Sequence, residues 1–133
     1  MSLEDRGLRA KASRIRSVLK RRAGAVCSME QLAAWLLGEA QDKVKLVWRC
    51  KYCRDFLKLN QITVDHLMPV SLGGSNRLDN LGVACRKCNE RKGPISAEFF
   101  ERLLAEIELW PSEMRQYVLR SLAARDPATR PRR

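Results

Sequence analysis

Leu8, Ala12, Ile15 and Leu19 recur at steps of four, three and four residues, which puts them on one face of an α-helix. Residues 3–22 are therefore expected to form an amphipathic helix, capped at Ser2 and stopped at Gly24. Arg9, Arg14, Arg16, Lys20, Arg21 and Arg22 fill much of its other surface. Ser28 and Gln31 have the spacing of a capping box, so a second helix should follow, with Leu32, Trp35 and Leu36 inside. The pattern then turns extended. Val44–Trp48, Ile62–Asp65 and Leu81–Cys85 are short β-like runs, and Pro69, Gly73, Gly74 and Asn76 between the last two are turn residues. Ser96 should cap another helix, with Phe99, Phe100, Leu103, Leu104 and Ile107 inside. Pro111 breaks that helix, and Ser112–Ala124 reads as the last, with Met114, Tyr117, Val118 and Leu122 inside. Trp35, Trp48 and Trp110 are expected in the core. The class is α+β, with no internal repeat.

Charge adds the first functional constraint. The 133 residues are one domain's length, and 45% hydrophobic with 31% charged is a globular balance. Against 15 acidic residues stand 26 basic ones, a formal net charge of +11. A small chain this basic meets nucleic acid more often than an anionic membrane surface. The excess is uneven: net +6 over residues 1–27, zero over 28–49, +4 over 50–93 and −2 over 94–126, with three arginines in 127–133. The first helix is thus expected to touch a nucleic-acid backbone through Arg14, Arg21 and Arg22, the alternative being an ordinary solvated basic face. No apolar run approaches the roughly 20 residues that span a bilayer, and the N-terminus lacks the apolar stretch of a secretory signal. The expected place is the cytoplasm, with no membrane partner.

In that compartment five cysteines argue for metal rather than disulfides. Cys50-Lys-Tyr-Cys53 and Cys85-Arg-Lys-Cys88 are two C-x-x-C pairs, each able to bring two thiolates to one ion. Together they complete a tetrahedral site for structural Zn²⁺ that leaves no position for water. Pairs of buried reduced thiols, or a redox pair, are the weaker alternatives. Cys27 stands apart as a free thiol.

The 31 residues between the pairs are more than a simple zinc ribbon needs. Singly, their features are bland. Asp65-His66 is more often a structural pair than a catalyst, and Asn80 and Asn89 are ordinary turn and helix-start residues. In order, however, the Cys pair, Asp65-His66, Pro69, Gly73-Gly74, Asn80-Leu81 and Cys85-x-x-Cys88-Asn89-x-x-Lys92-Gly93 resemble the HNH endonuclease family. The likeness spans roughly residues 47–93.

The resemblance implies a ββα-metal fold, two antiparallel strands and a helix gripping one divalent ion, here stapled by the four-cysteine zinc site and flanked by helices. With the resemblance confined to a nuclease core (47–93), pattern and composition divide the rest of the chain into a basic helical extension (1–46), a C-terminal helical segment (94–126) and a disordered basic tail (127–133). The resemblance implies that His66 is the general base, that Asp65 and Asn89 hold the ion, and that Asn80 orients the loop and the base. Arg91 or Lys92 would contact a neighbouring phosphate. Asn89 stands where the family name has a histidine. An amide oxygen is a harder ligand than imidazole, which favours Mg²⁺ or Mn²⁺. The implied activity is metal-dependent hydrolysis of DNA to 3′-hydroxyl and 5′-phosphate ends, in a bacterial or phage-infected cell. The alternative from another class is a zinc-stabilised nucleic-acid-binding module without catalysis. The sequence leaves oligomeric state open, monomer included.

Overall fold

The computed structural model describes residues 3–124. The Ser2 cap and the tail 127–133 lie outside these residues. Among them are five helices and two two-stranded sheets, an α+β fold: α1 (Leu3–Ala23), α2 (Met29–Glu39), β1 (Val47–Arg49), β2 (Phe56–Lys58), β3 (Ile62–His66), β4 (Leu81–Cys85), α3 (Arg86–Lys92), α4 (Ala97–Glu108) and α5 (Ser112–Ala123). None of these helices is long and apolar enough to cross a membrane.

The helices follow their sequence signals. Leu8, Ala12 and Leu19 of α1 are buried against α2, whose Leu32, Ala33 and Leu36 face them. Ser28 closes both bonds of its capping box with Gln31. The centre of the core is Trp48, fully buried, its indole N–H donating to the Leu36 carbonyl at 2.8 Å. Trp35 and Trp110 are only half-buried, so Trp48 alone of the three is fully interior.

The strand expected at Val44–Trp48 begins later. Asp42 Oδ1 accepts the backbone N–H groups of Val44 and Lys45, closing a turn that leaves Val44 86% exposed. β1 then pairs antiparallel with β2, a three-residue strand too short to show alternation in the sequence. On α4, Phe99 is exposed while Phe100 and Ile107 are buried, because Phe99 lies a third of a turn off their stripe. On α5, Met114 and Tyr117 are also outside, Tyr117 at 68% exposure. That helix lies against α3 and buries only Leu119 fully.

β3 and β4 form the second hairpin, with Asp65 opposite Gly82 and His66 opposite Leu81. The loop joining them turns at Gly73, whose φ of +94° favours glycine. Gly74 has a different reason: a Cβ there would collide with the Met68 carbonyl oxygen, at a point where Gly74 N–H bonds the Pro69 carbonyl. We expect Gly74→Ala to destabilise the protein by about 2 kcal/mol or more, since backbone cannot yield as a side chain does. Thermal melts check this; an unchanged midpoint would mean that the loop has slack.

Candidate functional site

Strand alternation decides the layout. Thr63 and Asp65 project from one face of β3 and Val64 and His66 from the other. Helix α3 covers the Thr63–Asp65 face. Asn89 donates its amide to Thr63 Oγ1 at 3.0 Å, and Lys92, one turn on, places Nζ 3.2 Å from Asp65 Oδ1 and 3.0 Å from the His66 carbonyl. The second Asp65 oxygen accepts the Tyr52 hydroxyl at 2.6 Å. Burial and the Asp65 charge push the Tyr52 hydroxyl above the ordinary phenol range, so it remains a donor. Asp65 and Asn89 therefore share the hairpin–α3 interface, while His66 looks away from it.

The His66 ring lies on the α1 side, only 2% exposed. Nε2 is 2.8 Å from Asn76 Oδ1, and the Asn76 amide donates to the Leu19 carbonyl of α1 at 2.8 Å. Burial lowers the imidazole's pKa below its usual value; nearby Arg22 and Lys92 act the same way, while the Asn76 bond and Asp65 oppose. Asn80 serves the connecting loop. Its Oδ1 accepts Met68 N–H at 2.8 Å, and its amide donates to the Met68 and Ser75 carbonyls.

Cys50, Cys53, Cys85 and Cys88 converge, with all four Sγ atoms within 4.8 Å of one another. The Cys53–Cys85 separation is 3.9 Å, close to the edge of about 3.8 Å of a tetrahedron of thiolates 2.3 Å from zinc. Backbone N–H groups of Tyr52 and Cys85 point at Cys50 Sγ, and that of Cys88 at Cys85 Sγ. Hydrogen bonds from Cys85 and Cys88 lower the Cys50 thiol below its ordinary range. Burial raises Cys53 to about 11. Four thiolates so close need a cation, and this arrangement fits structural zinc. Cys27 is free and apart, half-buried.

The oxygen donors also suit a hard cation. The Lys92 ammonium already sits between Asp65 Oδ1 and the His66 carbonyl, a stand-in for positive charge at that point. Lys92, expected to contact a phosphate, is 1% exposed here and paired inside the fold. Arg91 is half-buried beside it. Of the α1 arginines, Arg14 and Arg21 are exposed and Arg22 is half-buried; Arg14 and Arg22 line a groove of about 180 Å³ between α1 and β3.

Two features went unread in the sequence. Tyr52, between two of the clustered cysteines, bolts the first Cys pair to Asp65. Arg49, Lys51 and Arg54 line a cleft of about 320 Å³ that also touches Leu67, Leu81 and Gly82 at the hairpin end, with Glu39 its one acidic wall residue. Their only sequence signal was adjacency to the first cysteine pair. Asn76 carried none beyond that of a turn residue.

Residues 50–104 match the HNH endonuclease family. The match covers both cysteine pairs, β3, β4, α3 and the first part of α4. No curated protein matches the chain. The HNH segment points to nuclease chemistry and a nucleic-acid substrate, and the two helices α1 and α2 lie outside it.

Proposed function

We propose that the protein is a metal-dependent DNA endonuclease acting in the cytoplasm of a bacterial or phage-infected cell. The observation that supports it most is Asp65-His66 at the end of β3, inside a zinc-stapled ββα unit that matches HNH endonucleases. Asp65 and Asn89 would hold one divalent ion, Mg²⁺ or Mn²⁺, with Lys92 giving up its place at Asp65 Oδ1. When bound, such an ion neutralises charge developing on the scissile phosphate and the leaving oxygen.

The protein's own groups supply the rest. Neutral His66 takes a proton from a water molecule, whose oxygen forms a bond to phosphorus as the bond to the 3′ oxygen breaks. The products are a 5′-phosphate and, after proton uptake, a 3′-hydroxyl. Because the ring is covered, both the water and the scissile phosphate reach it only when the segment covering it moves aside. Tyr52 holds the Asp65 carboxylate in place through its hydroxyl. Asn80 keeps the loop after His66 closed. Arg49, Lys51 and Arg54 offer a basic cleft to the phosphodiester backbone, with Arg14, Arg21 and Arg22 contributing further charge from α1.

Zinc-loaded protein, free of other divalent ions, should nick supercoiled plasmid only after Mg²⁺ or Mn²⁺ is added. Binding should weaken steeply as salt rises, because phosphate contacts release counterions. Retained DNA binding with no nicking under any of these conditions would instead make the chain a non-catalytic binding module.

A further inference from the structure

We propose that Asn76 is a positioning residue that ties the His66 ring to helix α1 and selects its tautomer, an inference that rests on the nuclease reading above. The carbonyl of Leu19 can only accept, so the Asn76 atom 2.8 Å from it must be the amide nitrogen. Asn76 Oδ1 is then the atom 2.8 Å from His66 Nε2, and an amide oxygen also only accepts. Nε2 therefore carries the hydrogen, and in a neutral imidazole Nδ1 is left with the lone pair.

Nδ1 is buried and has no hydrogen-bond partner among the described residues. A histidine serving only to tie the fold together would be expected to use both nitrogens, because a buried polar atom without a partner is costly. Here one nitrogen is fixed and the other is open, which is the arrangement that proton uptake needs. Asn76 is itself buried, which restricts its rotation, and it reaches across 57 residues to α1. Helix α1 lies outside the matched segment 50–104. Its backbone thus belongs to the positioning of the base, and α1 has a role at the site separate from any contact with DNA.

The chain has one histidine, so ¹⁵N-imidazole NMR of the full zinc-loaded protein reports this ring alone. The wild type should show a protonated Nε2 and an unprotonated Nδ1; the opposite tautomer overturns the proposal. In Asn76→Ala the two nitrogens should shift toward exchanging tautomers, and kcat for plasmid nicking should fall roughly tenfold or more with KM little changed. Asn76→Asp keeps an acceptor for Nε2–H but loses the donor to the Leu19 carbonyl, so it should retain the wild-type tautomer without the tie to α1. An unchanged ring spectrum in Asn76→Ala, or a loss confined to KM, also overturns it. If Asn76→Ala fails to fold, the wild-type and Asn76→Asp spectra still decide. If the wild type does not nick DNA, the nuclease reading fails by itself, and the spectra still report whether Asn76 sets the tautomer.

Discussion

His66→Ala should lower plasmid nicking by about two to four orders of magnitude, the usual worth of a positioned general base. No other side chain can substitute, because the chain contains no second imidazole. Zinc content should be unchanged, since the four thiols lie apart from the ring. The wild-type pH dependence gives a second, independent check. Burial and the charges of Arg22 and Lys92 lower the pKa of His66 in the folded protein. The base is therefore neutral at neutral pH, and the rate should fall only as pH drops through a value below the ordinary imidazole pKa of about 6.5. Stability follows the same sign. The unfolded chain takes up the proton more readily than the folded one, so the contribution of the neutral ring is complete above about 6.5 and is lost as pH falls through the lowered value. Rates that already decline above that range, or a His66→Ala protein that nicks as well as wild type, would remove His66 from the mechanism.

Cys50→Ser or Cys88→Ser should abolish the folded state at ordinary temperature. Zinc binding in small domains is worth on the order of 10 kcal/mol, comparable to the whole stability of a domain this size. The fold explains why no other element compensates. The two cysteine pairs join the β1–β2 hairpin to the end of β4 and the start of α3, and β1 and β2 are three residues each. Cys85 is also the N-cap of α3, its sulfur accepting Cys88 N–H. Freed from the knuckle, Tyr52 could not hold Asp65, so the candidate site would be lost with the staple. Metal analysis should give about one zinc per wild-type chain and none in either variant, with a collapse of the thermal transition. Cys27→Ser, outside the cluster, should keep both zinc and fold. A Cys88→Ser protein that keeps its melting midpoint would mean the metal is not structural.

Much of this was legible because it depends on short-range spacing. A C-x-x-C pair constrains its own geometry, a capping box signals a helix start, and the Asp65-His66 hairpin with α3 behind it follows a fixed order of residues. The misreadings came where neighbours distant in sequence decide. Phe99, Met114 and Tyr117 are apolar but exposed, because α4 and α5 each bury a narrower stripe than their composition suggests. Val44 left its strand because Asp42 captured the local backbone. β2 was missed because three residues cannot display a period.

The sequence by itself determined the two cysteine pairs that could hold a metal, the ββα order, the helix starts and the excess of positive charge. Each Cys pair, each helix cap and each strand-to-helix boundary is a property of residues close in sequence, whereas the meeting of the two pairs is the work of the fold. Only the tertiary structure decided what covers each face of β3. It set α3, with Lys92 and Asn89, against Asp65, and α1, through Asn76, against His66. The alternation of side chains along a strand sends two neighbouring residues in opposite directions. Which helix waits on either side is settled by the packing of Leu19, Leu36 and Trp48 into one core, and that requires the whole fold.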